Sequence, residues 1–456
     1  MRGPSPAIIV IFGITGDLAQ RKLLPALYHL FKDDLLDEKT IILGITRRDV
    51  SAKELLDKVE LCVNEIDKVC DPVALQKVHA ALRMHQMSQT DPAEYRQLLE
   101  LTNSIEEEQG VCMDRLYYLS IPPQMFEPIV RNLGEQGLNK SCPHGLAETR
   151  LLVEKPFGYD LASAKELIEE TAAWFEEKQL FRIDHYLAKD TVQNIISFRE
   201  MSPAVENAWN NRYIESIHIT AFEKIDIEGR ATFYEEVGAL RDFIQSHLLQ
   251  LLAIVTMELP EDMESEAVHA KRLQLLQSIR PITKEQVASR AARGQYAGYR
   301  DEVGKTDSAT ETFARITLAI DNERWKGLPI TLQTGKAMAE KRTDVSLAFK
   351  NSDAELVIHI QPDAGIELTS SRDTPEFFEQ LAPLVGTFNA EHPPSPTAHP
   401  DAYERVLLDA VLGDHTLFTT STEVIAAWKV ITEVLEVWDG SDEGLVPYSK
   451  GAASVG

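Results

Sequence analysis

Residues 7–18 read Ala-Ile-Ile-Val-Ile-Phe-Gly-Ile-Thr-Gly-Asp-Leu. The first six residues form a continuous apolar run, which is typical of a β-strand buried on both faces of a parallel sheet. Two glycines follow the run and precede a helical pattern. Glycines at such a turn let backbone N–H groups approach a pyrophosphate at the N-terminus of the helix. The stretch therefore predicts a dinucleotide-binding loop formed by Gly13, Thr15, Gly16, Asp17 and Leu18.

Strand-like and helical segments alternate through the first third of the chain. Apolar runs recur at Ile41–Ile45, Leu116–Ile121 and Leu151–Glu154, with helical stretches between them. This alternation indicates a parallel, doubly wound sheet. Pro25 lies inside the first helical stretch, where we expect it to remove one backbone hydrogen bond or to bend the helix.

The hydrophobic pattern changes to a period of two after about residue 184. Such alternation is typical of strands with one face buried and the other partly open. It occurs in three groups: Ile217, Ile219 and Ala221; Val345, Leu347 and Phe349; Leu356, Ile358 and Ile360. Between the first two groups, Glu235–Met257 shows a long helical pattern. We therefore predict an α/β plus α+β protein, with an N-terminal Rossmann domain over residues 1–183 and a larger α+β domain over 184–456 that carries an antiparallel sheet.

The composition is that of a globular protein with hydrophobic cores, because 44% of the 456 residues are hydrophobic and 26% are charged. The formal net charge of −26 repels phosphate backbones and argues against nucleic-acid binding. No window approaches the roughly 18 consecutive apolar residues that a membrane-spanning helix requires. We therefore predict a protein that binds neither nucleic acid nor membranes.

The cysteines give no sign of a metal site or of a disulfide scaffold. Cys62, Cys70, Cys112 and Cys142 show neither CxxC spacing nor paired histidines. The first apolar run also breaks at Gly13, too early for the hydrophobic region of a secretion signal. We therefore expect reduced thiols, a cytoplasmic location and no bound metal.

The end of the second predicted strand indicates which dinucleotide binds. An NAD site would place an acidic residue there to hold the ribose 2′-hydroxyl. Here the strand is followed by Arg47 and Arg48, and the first acid is Asp49. A guanidinium pairs well with a phosphate, so the pattern favours the 2′-phosphate of NADP, with NAD as a weaker alternative. An arginine pair that is merely solvated in a loop is the other reading of these residues.

Six stretches of the chain resemble the glucose-6-phosphate dehydrogenase family, and the resemblance covers nearly the whole sequence. The Arg182-Ile-Asp-His-Tyr-Leu-Ala-Lys189 block is the most specific of them. The others are Gly13-Ile-Thr-Gly-Asp-Leu-Ala-Gln-Arg-Lys-Leu23, Glu154-Lys-Pro-Phe-Gly158, Gly238-Ala-Leu-Arg-Asp-Phe-Ile-Gln-Ser-His247, Ile320-Asp-Asn-Glu-Arg-Trp325 and Thr334-Gly-Lys336.

The resemblance implies that His247 is the general base and that Asp184 orients its imidazole. From spacing alone, His247 lies on the apolar stripe of the long helix, which is also typical of a core histidine. Asp184 has an alternative role too, as the cap of a helix that starts there. Nothing in the sequence spacing links these two residues, so their pairing is an expectation of the resemblance.

The resemblance also implies a binding site for a sugar phosphate. His185, Tyr186 and Lys189 match the side chains that hold the phosphate, and His185 and Lys189 would share one face if a helix begins here. Lys155 would lie between the sugar and the nicotinamide, before a proline that makes a cis peptide bond plausible. The remaining substrate residues are expected to be Glu223, Glu235, Lys336 and Lys341. Without the resemblance, each of these charges would be read as a solvated surface residue.

The activity that the resemblance implies is oxidation of D-glucose 6-phosphate to 6-phospho-D-glucono-1,5-lactone with NADP, the first step of the pentose phosphate pathway, by a homodimer or homotetramer. The chain departs from the family pattern at Glu235, where aspartate is usual, at Gln333, where arginine is usual, and at Glu323, where an aromatic residue is usual. These departures leave two alternatives open. One is the same mechanism on another hexose phosphate, and the other is an inactive NADP-binding regulatory homologue.

Overall fold

The structure is a computed structural model, which describes residues 4–59, 70–142, 147–369, 376–391 and 402–456. The strands are β1 Ala7–Phe12, β2 Ile41–Thr46, β3 Leu82–Gln86, β4 Asp114–Leu119, β5 Thr149–Val153, β6 Leu180–Ile183, β7 Ile214–Phe222, β8 Ile279–Arg280, β9 Ala291–Tyr296, β10 Phe313–Ile320, β11 Ile330–Gly335, β12 Arg342–Phe349, β13 Glu355–Gln361, β14 Gly365–Thr369, β15 Phe418–Thr419 and β16 Leu445–Tyr448.

The α-helices are α1 Leu24–Lys32, α2 Ala52–Leu56, α3 Pro72–Ala81, α4 Pro92–Gln109, α5 Phe126–Glu135, α6 Leu161–Ala172, α7 Asp190–Glu200, α8 Pro203–Ala208, α9 Ala231–Ala239, α10 Leu249–Thr256, α11 Ser265–Ser278, α12 Lys284–Arg290, α13 Tyr299–Val303, α14 Glu376–Glu391, α15 Ala402–Leu412 and α16 Ser421–Trp438. Ala19–Leu23 and Leu240–Leu248 are π-helical, and Pro123–Met125 and Glu177–Gln179 are single 3₁₀ turns.

The chain divides into two compact units, and neither is continuous in sequence. The first unit comprises Met1–Gly158, Ala162–Ala188 and Thr397–Ser421. The second comprises Tyr159–Leu161, Lys189–Pro396 and Thr422–Gly456. Both assignments concern the described residues within these ranges. Near its C-terminal end the chain returns to the first unit, and the hydrophobic pattern of the sequence does not predict this return.

The sheet of the first unit has the order β15-β6-β5-β4-β1-β2-β3. All neighbouring strands pair in parallel except β15, which runs antiparallel to β6 at the edge. The predicted Rossmann domain is therefore confirmed, with predicted strand ends that differ by one or two residues. The order reverses at β1, which lies between β4 and β2, and doubly wound sheets bind ligands at such a point.

Helices α1 and α15 pack together over this sheet and extend its hydrophobic core. Pro25 lies in the first turn of α1 and has no N–H to donate to the helical turn before it. In place of the expected bend, the helix changes type: Ala19–Leu23, just before α1, are π-helical. From α15, Val406, Leu407 and Ala410 are at most 1% exposed in the same core. The first unit is thus completed by residues from the far end of the chain.

The sheet of the second unit has the order β14-β13-β12-β7-β11-β10-β9-β16, with β8 paired to β10. Most neighbours are antiparallel, which confirms the predicted antiparallel sheet. Two pairs are parallel instead, β7 with β11 and β9 with β16. Buried and partly exposed residues alternate along β12 and β13, and the apolar residues of the period-two pattern occupy the buried positions.

The long helix predicted over Glu235–Met257 is broken. Gly238 has φ 66° and ψ 175°, a conformation that breaks the helical path near the end of α9 and that glycine adopts without strain. The chain then forms the π-helical segment Leu240–Leu248, which we name the His247 helix, and continues directly as α10. The prediction of one regular helix was wrong because the spacing of apolar residues carries no sign of a single residue with positive φ, such as Gly238.

Cys112 and Cys142 form a disulfide that joins the segment before β4 to the segment after α5. The expectation of reduced thiols is therefore wrong for this pair, whose cysteines are 30 residues apart, and also for Cys70, which is disulfide-bonded as well. Cys62 lies outside the described residues. None of the described helices is long and apolar enough to cross a membrane. Within the described ranges, no group of histidine, cysteine and acidic side chains has the geometry to hold a metal ion.

Candidate active site

The predicted dinucleotide loop is a tight turn between β1 and the first helix. Gly13 N–H donates to the Ile45 carbonyl at 3.2 Å, and Gly16 N–H donates to the Gly13 carbonyl at 2.8 Å. Gly13 has φ 80°, and a Cβ atom there would lie 2.1 Å from the Ser120 carbonyl oxygen. Leu18, at the end of the loop, packs against the hydrophobic core. The turn therefore requires glycine at position 13.

The side chain of Arg48, which follows β2, contacts this loop. Its Nη2 donates to Thr15 Oγ1 at 3.4 Å, and both Arg48 and the neighbouring Arg47 are exposed. Asp17 forms an exposed ion pair with Arg21 at 2.8 Å. The carboxylate of Asp17 is thus offset by a cation of its own helix, and a guanidinium lies beside the loop.

Glu154 and Lys155 follow β5 at the carboxyl edge of the same sheet. The Lys155–Pro156 peptide bond is cis, which confirms the prediction. Tyr118 Oη donates to Glu154 Oε1 at 2.5 Å. Burial raises the pKa of the Glu154 carboxyl to about 7, although hydrogen bonds from Tyr118 and Tyr403 and the charge of Lys155 oppose that rise. Both protonation states of this carboxyl are therefore accessible near neutral pH.

The segment that follows β6 is a turn and not the start of a helix. Asp184 is 3% exposed, and its Oδ1 accepts a hydrogen bond from the Tyr186 N–H at 2.9 Å. Because α7 begins only after Lys189, the alternative role of Asp184 as a helix cap is wrong, and so is the helical face predicted for His185 and Lys189. The side chain of Tyr186 is buried, and the His185 ring stacks on Tyr403 with centroids 6.4 Å apart.

Lys189 is held by a glutamine that the sequence analysis missed. Lys189 Nζ donates to Gln361 Oε1 at 2.6 Å, and Gln361 Nε2 donates to Thr343 Oγ1 at 2.9 Å. Gln361 ends β13 and precedes a cis proline peptide bond. An isolated glutamine at a strand end carries no chemical signal in the sequence, so only the sheet register reveals its place beside Lys189.

Glu223 and Lys336 form an ion pair at the ends of two adjacent parallel strands. Lys336 Nζ lies 2.5 Å from Glu223 Oε2, and the Lys336 side chain is only 3% exposed. Because β7 and β11 run in parallel register up to Phe222 and Gly335, the next residue of each strand emerges at the same edge of the sheet. Lys336 Nζ also lies 5.3 Å from the centroid of the Tyr234 ring. The structure thus brings together two of the predicted substrate residues.

Glu235 belongs to a different set of contacts. Its Oε2 accepts hydrogen bonds from the hydroxyls of Tyr299 at 2.9 Å and Ser308 at 2.8 Å, and Lys305 Nζ lies 3.1 Å from Oε1. These three partners tie α9 to the 299–308 segment. Lys341, by contrast, is exposed immediately before β12.

His247 is buried on the π-helical segment that bears its name. Its side chain is 1% exposed and meets the Phe243 ring edge to face at 5.4 Å. Asp242 precedes it by five residues. Because a π-helix forms hydrogen bonds between residues five apart, Asp242 and His247 lie on the same side of this helix. Tyr234 has its pKa raised by burial and then by the charge of Asp242, which places that carboxylate near the ring beneath Lys336. Asp242 is therefore a second missed residue, hidden because α-helical spacing puts it on another face.

The His247 helix packs against β7 and β11, the strands whose ends carry Glu223 and Lys336. In the second unit, a buried imidazole, an ion pair and a carboxylate therefore belong to one packed group of elements. Such a group can accept a proton and bind hydroxyls.

Two family models together match nearly the whole chain. The model described as "Glucose-6-phosphate dehydrogenase, NAD binding domain" matches residues 10–194. The model described as "Glucose-6-phosphate dehydrogenase, C-terminal domain" matches residues 196–455. Among curated relatives, the glucose-6-phosphate 1-dehydrogenases of Chlamydia muridarum and Bacillus subtilis are each 36% identical to this chain. The match covers 95% of this chain in both cases, and 90% and 91% of those proteins respectively.

Solved structures agree with the sequence relatives. A glucose-6-phosphate dehydrogenase in complex with its substrate, glucose 6-phosphate, is 31% identical, with a TM-score of 0.87 over 100% of this chain and 96% of that one. The glucose-6-phosphate 1-dehydrogenase of Mycobacterium avium is also 31% identical, with a TM-score of 0.80 over 98% and 95% of the two chains. The similarity therefore extends through both units.

The close approach of Gly13 to the Ser120 carbonyl leads to a prediction about stability. We expect Gly13→Ala to lower the free energy of unfolding by more than about 3 kcal/mol, because a backbone clash adds to roughly 1–2 kcal/mol of left-handed strain. Gly110→Ala is the matched control, since Gly110 has φ 65° but no atom within 4 Å of its Cβ position. Urea denaturation of the two variants measures the difference, and equal losses would contradict the close approach to Ser120.

Proposed function

Because the chain belongs to the glucose-6-phosphate dehydrogenase family, we propose that it oxidises β-D-glucose 6-phosphate to 6-phosphoglucono-1,5-lactone. NADP, when bound, accepts the C1 hydride at its nicotinamide ring. The C1 hydroxyl gives up its proton to His247, so the products are the lactone, NADPH and one proton. The observation that carries this proposal is the burial of His247 on a helix packed against the two strands that end in Glu223 and Lys336.

The proposed role of His247 is to take the hydroxyl proton as the hydride leaves. A general base must be fixed within reach of one proton, and a buried imidazole wedged against Phe243 has little rotational freedom. Asp242, one π-helical turn away, is proposed to accept a hydrogen bond from a sugar hydroxyl. The orienting role of Asp184 stays a prediction of the resemblance.

The remaining substrate residues are proposed to divide between hydroxyls and phosphate. Glu223 accepts from sugar hydroxyls, with Lys336 neutralising its charge. Lys189 supplies a cation for the phosphate, and Gln361 holds that ammonium group in place. The other proposed substrate contacts are Lys155, His185, Tyr186, Glu235 and Lys341.

The family binds a nicotinamide dinucleotide, and the finer choice of NADP rests on the arginines after β2. No acid follows that strand until Asp49, and Arg48 already reaches the loop through Thr15. A guanidinium beside the loop suits a ribose 2′-phosphate and gives no advantage to NAD. The loop from Gly13 to Leu18 is proposed to hold the pyrophosphate. The homodimer or homotetramer and the cytoplasmic location implied by the resemblance stay predictions.

The decisive experiment is a spectrophotometric assay of NADPH formation with glucose 6-phosphate, glucose, and the 6-phosphates of galactose and mannose. We expect glucose 6-phosphate to give the highest kcat/KM. A clear preference for another hexose phosphate would change the proposed substrate and leave the proposed mechanism unchanged. Absence of NADPH with every sugar, in protein that still binds NADP by calorimetry, would favour the regulatory homologue instead.

Replacing the base should remove the chemical step and preserve binding. We expect His247→Asn to reduce kcat by roughly 10²–10⁴-fold, the usual contribution of a positioned proton acceptor, with little change in KM for glucose 6-phosphate. His218→Asn is the control, because His218 lies on β7 of the same unit with an exposed side chain. A His247→Asn variant with near-normal kcat would return His247 to the role of a core histidine.

Cofactor choice should depend on both arginines after β2. We expect Arg48→Ala to raise KM for NADP about tenfold, equivalent to about 1.4 kcal/mol, and to leave KM for NAD nearly unchanged. Arg47→Ala should have an effect of similar direction, and the double variant the largest one. Lys53→Ala, an exposed cation on α2, serves as the control. An unchanged ratio of NADP to NAD use in the double variant would leave these arginines as solvated loop residues.

A further inference from the structure

The N-terminus of the His247 helix is capped by a residue from a distant part of the chain. The first N–H groups of any helix lack partners within that helix. Ala239, which immediately precedes the His247 helix, has no side chain that could accept a hydrogen bond from them. Glu311 takes over this function. Leu240 N–H donates to Glu311 Oε1 at 2.9 Å, and Ala239 N–H donates to the Glu311 carbonyl oxygen at 2.9 Å.

The surroundings fix Glu311 closely against the helix. Glu311 is 5% exposed and lies two residues before β10, so the sheet anchors its backbone. A Cβ atom on Gly238 would come within 2.5 Å of its carboxylate. The glycine that breaks the predicted long helix therefore also makes room for the cap.

Neighbouring cations and hydrogen bonds partly offset the cost of burying the Glu311 carboxylate. Burial raises the pKa of Glu311, while the hydrogen bond from Leu240 and the cations Arg241 and Arg293 act in the opposite direction. A negative group at a helix N-terminus is also stabilised by the partial positive charge of the unpaired N–H groups. The phenol groups of Tyr234 and Tyr299 feel the same negative charge, which contributes to the raised pKa of each.

We propose that Glu311 is a positioning residue for His247, acting through the first turn of the His247 helix. The proposal rests on the proposed function, in which His247 is the base. The segment is π-helical, and the same residues could instead form α-helical hydrogen bonds, which would turn His247 relative to Asp242. A carboxylate that holds the first turn fixes which pattern propagates. Glu311 thereby sets the direction of the imidazole without touching the substrate.

Three variants separate positioning from general stability. Glu311→Ala removes the cap, and Glu311→Gln keeps an oxygen that accepts from Leu240 N–H. Glu302→Ala is the matched control, because this carboxylate of the same unit bonds Tyr296 and Lys450 and no residue of the His247 helix. Each variant is measured for kcat and KM with glucose 6-phosphate and NADP, and for hydrogen–deuterium exchange of peptides covering residues 240–248.

We expect Glu311→Ala to lower kcat by about 10- to 100-fold, the cost of displacing a catalytic group by about 1 Å, and to speed exchange in residues 240–248. Glu311→Gln should keep kcat within about threefold of the unchanged protein, and Glu302→Ala should change neither quantity. Wild-type kcat and exchange in Glu311→Ala overturn the proposal, as do equal losses in Glu311→Gln or Glu302→Ala. If the unchanged protein forms no NADPH, the proposed function fails, and the exchange data still decide whether Glu311 holds the helix.

Discussion

Parallel strand pairs direct consecutive chemistry-bearing residues to one edge of a sheet, and both units depend on this constraint. In the first unit, the loop at Gly13, the arginines after β2 and Lys155 after β5 all follow carboxyl ends of parallel strands. The second unit is mostly antiparallel, yet its β7–β11 pair is parallel, and that exception makes Glu223 meet Lys336. An antiparallel β11 would have carried Lys336 to the opposite edge.

Strong charges are compensated locally in a chain whose net charge is −26. The buried ammonium of Lys336 pairs with Glu223, and that of Lys189 is held by a neutral glutamine. The Glu223 carboxylate cancels most of the Lys336 charge, and the Gln361 amide oxygen accepts a hydrogen bond from the Lys189 ammonium group.

The sequence predicted what depends on local patterns and missed what depends on register. The apolar run Ala7–Phe12 and the alternating residues of β12 and β13 are confirmed as strands, because burial of one or both faces leaves a periodic trace. Asp242 and Gln361 were missed, since the first requires π-helical geometry and the second requires a contact with Lys189, 172 residues away in the chain. The helical face expected for His185 and Lys189 was wrong because Asp184 diverts the backbone into a turn.

The return of α15 and β15 to the first unit has a consequence for how the molecule is made. Residues of α15 complete the core around α1, and β15 closes the edge of the sheet next to β6. During translation, a nascent chain that has emerged only to Ala188 has that edge and that apolar surface uncovered. Some two hundred further residues must leave the ribosome before the first unit can close. The first unit therefore cannot complete its core and its sheet until residues near the C-terminal end of the chain have been synthesised.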